Sequence, residues 1–135
     1  MFERYAIYYT PQGALADAGA QWLGWDVALG AAPPALRIDG FDRERVTETP
    51  RKYGMHGTIK PPFHLADGMS FDQLEREFRN LCDTCSPVNL DRLEVRKLGG
   101  FFALVPVGDQ AKLAQLAALV VKRLDHFRAE PSEAE

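Results

Sequence analysis

The sequence predicts an α+β domain, and three observations carry that prediction. Short runs rich in aromatic and β-branched residues alternate with segments whose apolar residues recur at helical spacing. Two of the runs are joined by Gly99-Gly100, which supplies the positive φ angles of a tight hairpin turn. The helical segments are amphipathic, so each has one face to lay on a sheet. The expected architecture is an antiparallel or mixed sheet with helices packed on one face.

Arg4-Tyr5-Ala6-Ile7-Tyr8-Tyr9 reads as the first strand. Thr10-Pro11 resembles an N-cap followed by proline at the first helical position. That helix runs to about Leu23, with Leu15, Ala18, Gly19, Trp22 and Leu23 on one face. Ala28 to Gly40, rich in Gly, Ala and Pro, reads as mostly loop. Tyr53 to Phe63 forms the next strand. Ser70 and Gln73 then make a capping-box pattern, with Met69 able to staple against Leu74. Phe71, Leu74, Phe78, Leu81, Cys82 and Cys85 follow at helical spacing until Pro87 stops the helix. Leu93 and Val95 alternate with Arg92, Glu94 and Arg96 as a half-buried strand, and Phe101 to Val107 returns beside it. A last helix spans about Asp109 to Phe127, with Leu113, Leu116, Ala117, Val120, Val121, Leu124 and Phe127 in one stripe. A polar tail begins at about residue 130.

At 135 residues, 46% hydrophobic and 26% charged, the chain has the balance of one soluble domain, residues 1–135, with a real core. No run approaches the roughly 18 apolar residues of a membrane helix, and Met1-Phe2-Glu3-Arg4-Tyr5 lacks a signal-peptide pattern. Two cysteines do not make a disulfide framework, so a reducing, cytoplasmic location and no membrane partner are expected. A net charge of −3 carries no general affinity for nucleic acid, so an RNA partner has no support in composition.

One segment combines the groups that phosphate-ester chemistry needs. Thr49 to Ala66 contains no acidic residue but carries Arg51, Lys52, Lys60, His56 and His64, which suggests a confined anion site on an acidic protein. Within it, a period-two strand puts His56, Thr58 and Lys60 on one face and Gly57 and Ile59 on the other. An imidazole that transfers protons near neutrality, a neutral donor and an ammonium then point the same way. Arg51, Lys52 and Tyr53 lie on the approach, where they either steer a phosphate or form a solvated loop. Pro61-Pro62 is expected to end the pairing. The tripeptide alone is weak evidence, and a polar strand face with no chemistry fits it better.

The order of motifs along the chain is more specific. Arg4 to Tyr9, Trp22-Leu23-Gly24-Trp25-Asp26, Pro50 to Phe63, Leu98-Gly99-Gly100-Phe101-Phe102-Ala103-Leu104-Val105-Pro106 and the helix ending Phe127-Arg128-Ala129 together resemble one family. It is the phosphonate-operon-associated branch of the 2H phosphoesterase superfamily, a domain of unknown function. Trp25 departs from it where a basic residue is expected, and Gly57 where alanine is usual. The resemblance implies a two-lobed fold whose lobes each carry a His-x-Thr/Ser motif. The two histidines share acid and base roles on a phosphodiester, the hydroxyls hold the phosphate, and no metal or cofactor takes part. His56 and Thr58 match the first motif as catalytic residues, with Lys60, Arg51 and Tyr53 as substrate-binding candidates. His64 is followed by Leu65-Ala66 and His126 by Phe127-Arg128, so neither supplies a second motif. The chain therefore looks like the first lobe of such a protein, lacking the second.

The function this implies is a phosphodiesterase or cyclic phosphodiesterase, a metal-independent hydrolase. Its substrate would be a small phosphate ester, nucleotide-like or sugar-phosphate, linked to phosphonate metabolism. The alternatives are a non-catalytic phosphate- or RNA-binding module, and a structural fragment that homodimerises through surfaces a second lobe would cover. Cys82-x-x-Cys85 lacks the further ligands of a zinc site and reads as packing. His126 suits a helix C-terminus, and His64 a solvated loop. Tyr5, Tyr8 and Tyr9 read as strand packing rather than a base-stacking platform.

Overall fold

The chain order in the computed structural model is β1 (Tyr5–Tyr9), α1 (Gly13–Leu23), α2 (Arg43–Arg51), β2 (Gly57–Phe63), α3 (Phe71–Thr84), β3 (Arg92–Leu98), β4 (Phe101–Val107), α4 (Ala111–Arg123) and a 3-10 turn, Asp125–Phe127. The structure describes residues 4–34 and 36–131. Residues 1–3, Ala35 of the expected loop and residues 132–135 of the expected tail lie outside them. The α+β class holds, but the single sheet expected is replaced by two: β1 pairs with β2, and β3 with β4. Two units divide the chain, one of Ile7–Thr58, the other of the described residues of Met1–Ala6 and Ile59–Glu135.

In the unit from Ile7, α1 begins later than Thr10-Pro11 suggests. Gln12 is extended and Gly13 adopts a φ of 60°, so the preceding residues stay outside the helix. The buried face carries Gly19 and Ala20, whereas Ala18 and Trp22 of the expected face are exposed. Trp22 stacks instead on Phe41, with ring centroids 5.8 Å apart. The helix closes on Gly24, whose φ of 79° suits a residue without Cβ.

The sequence reading did not include α2. The Asp42 side chain caps it by accepting from Arg45 N, with Glu44 in its first turn and Arg51 in its last, matching the helix dipole. Two arginines of α2 reach back to the carbonyls at the end of α1. Arg43 Nη1 donates to Gln21 O and Trp22 O at 2.9 and 3.1 Å, and Arg51 Nε donates to Leu23 O at 3.0 Å. These carbonyls lack partners within their own helix, and a buried guanidinium satisfies them with charge assistance. Arg43 Nε is buried without a partner among the described residues. Because α2 and its closing turn occupy residues up to Gly54, the expected strand from Tyr53 begins only at Gly57.

In the unit from Ile59, β2 continues through Pro61-Pro62 to Phe63, correcting the expected break. A two-stranded sheet leaves each strand an edge where a residue without N–H costs nothing. The capping box at the start of α3 forms as read, with Gln73 N donating to Ser70 Oγ and Ser70 N to Gln73 Oε1. The stripe of the last helix is interrupted after Arg123, and the 3-10 turn carries it on to Phe127. Phe63, Leu74, Leu81, Val120, Leu124 and Phe127 are buried. Full burial of a side chain such as Leu124 stabilises by roughly 1.5–3 kcal/mol. Ala66 N donates to Phe127 O and Ala129 N to His64 O, tying the segment after the turn to the end of β2.

The β3–β4 hairpin has the register implied by its turn, from Leu98↔Phe101 to Arg92↔Val107, with Gly99 at a φ of 59°. Leu93 and Val95, expected half-buried, are exposed, Val95 by 71%. Phe102, paired with Lys97, is 72% exposed. Alternation identified a face, but burial requires an element to cover it.

Candidate functional site

His56 stands at the junction where α2 has ended and β2 has not yet begun. The turn is made by Gly54, whose φ is 67° and whose N–H bonds back to Pro50 O and Arg51 O. A Cβ there would collide with the Val27 side chain and lie 3.3 Å from Trp25 Cδ1, so both backbone angle and space demand glycine. That turn aims the Gly54 carbonyl at the imidazole, 3.0 Å from His56 Nδ1.

A carbonyl only accepts, so Nδ1 is assigned as the donor and carries the proton in the neutral ring. Nε2 then holds the lone pair, and among the described residues it has no partner. The ring plane is fixed by Tyr8, stacked at 4.1 Å with an interplanar angle of 29°. Tyr53, 57% exposed, tilts towards the same imidazole at 6.3 Å. Gly57 faces the other way, where a Cβ would meet Tyr9 Cδ1 at 3.8 Å. Thr58 is exposed, and its hydroxyl has no partner among the described residues. A half-buried imidazole of set tautomer, with a free hydroxyl two residues on, can take a proton and donate one hydrogen bond to an oxyanion.

The other candidates are placed differently. Arg51 is a buckle: besides Leu23 O it donates to Glu44 O at 2.8 Å and to Thr47 Oγ1 at 2.9 Å. Lys60 belongs to the unit from Ile59, where it is 3% exposed. Its ammonium meets Asp125 Oδ1 at 2.9 Å and lies 5.1 Å from the centroid of the Phe63 ring. Arg128 and Lys60 together hold the Asp125 carboxyl below its usual value, at about 2. The structure thus joins His56 with Tyr53, and engages Arg51 and Lys60 with protein partners.

Two participants escaped the sequence reading: the Gly54 carbonyl and the Tyr8 ring. The Gly54-x-His56 spacing is a local signal for the carbonyl; the Tyr8 ring, distant along the chain, has none. Among the described residues, no group of three or more His, Cys, Asp or Glu is placed to hold a metal. Cys82 is exposed, and desolvation pushes its thiol up, away from the reactive thiolate. Among the described residues, no helix is long and apolar enough to cross a membrane.

Comparison with known proteins adds a family. Two curated relatives bear the name "Ribose 1,5-bisphosphate phosphokinase PhnN". The one from Janthinobacterium sp. (strain Marseille) is 34% identical over 137 residues, covering 98% of this chain and 30% of the relative. The one from Laribacter hongkongensis (strain HLHK9) is 36% identical over 130 residues, covering 93% of this chain and 31% of the relative. The chain therefore spans under a third of the length of either. No solved structure matches it. A family model described as "Protein of unknown function (DUF1045)" matches residues 58–135, more than half of the chain, and the chain belongs to that family.

Proposed function

We propose that this chain carries the first half of a 2H-type phosphoesterase site, with His56 as the proton-transfer group and Thr58 as donor to a non-bridging phosphate oxygen. The observation that carries the reading is the Gly54 carbonyl on Nδ1. It leaves Nε2 as the base in the neutral ring, the role that activating a water requires. In that reaction Nε2 takes a proton from water, the water oxygen bonds to phosphorus, and one ester P–O bond breaks. The departing alkoxide takes its proton from a second group, contributed from outside these 135 residues.

A sugar phosphate is the substrate class we favour, in keeping with the resemblance to the phosphonate-associated branch. The relatives' printed name, which refers to ribose 1,5-bisphosphate, supports the same class. The kinase step in that name is said of the relatives, of which this chain spans under a third, and we do not carry it to these 135 residues.

The test is 31P NMR of ribose cyclic phosphates and 2′,3′-cyclic nucleotides with the wild-type chain, His56→Ala and Thr58→Val. Loss of an acid–base group lowers turnover by a factor on the order of 10²–10⁴. Turnover that survives His56→Ala would remove the catalytic reading. Saturable phosphate binding with no turnover in any form would replace it with a binding module.

A further inference from the structure

The unit from Ile59 has an open, mostly polar cleft of about 460 Å³ between α3 and the turn Asp125–Phe127, with Gln73, Arg76, Glu77, Asn80 and His126 exposed along it. We infer that this cleft binds a hydroxyl-bearing small oxyanion of the sugar-phosphate class. It involves none of the residues of the His56 reading and does not depend on it.

One wall is a polar face of α3. Gln73, Arg76, Glu77 and Asn80 recur at i, i+3, i+4 and i+7, beside the stripe that buries Leu74 and Leu81. Phe127, buried, and Met69 complete the lining together with His126. His126 Nε2 lies 3.3 Å from Glu77 Oε2, so a carboxylate orients the imidazole across the opening.

The donors along this wall are exposed and have no protein partner among the described residues. Gln73 Oε1 accepts from Ser70 N and Ser70 Oγ at 2.8 and 3.1 Å, which leaves its amide N–H groups without a partner among the described residues. The side chains of Arg76 and Asn80 likewise have none. The contrast with Arg79 is informative, because Arg79 pairs with Glu75 one turn back at 2.7 Å. Arg76 has Asp72 at that spacing and Glu77 adjacent, yet pairs with neither. Asp125, the acid on the facing turn, is taken by Lys60 and Arg128. A guanidinium and two amides remain to bind an oxyanion, and Glu77 can accept from ligand hydroxyls.

The test is a 1H–15N NMR titration of the 135-residue chain with ribose 5-phosphate, inorganic phosphate and ribose. Saturable shifts at residues 73–80 and 126–127 are expected with ribose 5-phosphate, weaker ones with inorganic phosphate, and none with ribose. Arg76→Gln should weaken ribose 5-phosphate about tenfold, the loss of one charged hydrogen bond. Asn80→Ala should weaken it severalfold, and Lys112→Gln, which removes an exposed cation outside the cleft, should leave it unchanged. Both cleft residues are exposed, and circular dichroism checks that the variants fold. Shifts that fail to saturate, saturation identical in Arg76→Gln, or ribose binding as tightly as its phosphate would each overturn the assignment.

Discussion

Gly19→Ala sets two effects of known sign against each other and reads the result at His56. Gly19 is buried inside α1, where alanine would gain roughly 0.5–1 kcal/mol through lower backbone entropy in the unfolded chain. Opposing this, the added Cβ would collide with Met55 Sδ and lie 2.9 Å from Met55 Cβ and 3.0 Å from its Cγ. The thioether can swing aside, but Met55 Cβ moves only with the backbone. Overpacking of this kind costs about 1–3 kcal/mol, so the expected balance is destabilisation by about 1 kcal/mol. Met55 sits between Gly54, whose carbonyl holds Nδ1, and His56 itself, so the displacement loosens that hydrogen bond. Urea denaturation should show a lower midpoint with an unchanged slope. Long-range 1H–15N spectra of the imidazole should show more of the tautomer protonated at Nε2. Met55→Ala removes two of the three contacts, so Gly19→Ala should cost less in that background than alone. A higher midpoint in Gly19→Ala with an unaltered His56 tautomer would refute the reasoning.

Two further outcomes follow from the same contacts. Thr47, 1% exposed, donates to Arg43 O at 2.8 Å and accepts from Arg51 Nη2. Thr47→Val keeps the shape and should lower stability by about 1–2 kcal/mol on urea denaturation; a neutral result would show that the two arginines hold α1 without it. The Asp125 carboxyl is depressed from 3.8 to about 2 in the folded protein, chiefly by Arg128 and then by Lys60. A depressed folded value means its contribution is fully present above pH 4 and is lost as pH falls towards 2. Asp125→Asn should therefore be less stable at neutral pH, with the difference from wild type shrinking across that window. A difference independent of pH would show that the carboxylate charge plays no part.

The elements legible in the sequence were those settled within a few residues. The Ser70/Gln73 box and the Gly99-Gly100 turn were read correctly because their partners lie three residues apart or across one turn. The helix α2 was not read, because its residues Arg43 to Arg51 carry no apolar period. Its own cap at Asp42 is local, but its arginines are spent on carbonyls of α1. Spacing puts Ala18 and Trp22 on one face of α1, but which face is covered depends on the chain packed against it, and that covers Gly19 and Ala20 instead. Leu93 and Val95 marked a face of the hairpin without revealing that it lies uncovered.

The candidate site divides along the same line. Residue chemistry and spacing make His56 and Thr58 candidates, the order of motifs along the chain singles them out, and the structure places His56 just before β2 rather than within it. Other features required the fold: Arg51 as a buckle, Lys60 paired with Asp125, and the imidazole fixed by Gly54 O and Tyr8. Each depends on a partner brought near by the path of the chain, and spacing along the sequence carries no information about that path. Composition and local pattern determined the α+β class, the capped helix, the hairpin and the histidine worth examining. Tertiary structure decided which cations have protein partners, which nitrogen of that histidine holds the lone pair, and which side chains of α3 stand without a protein partner.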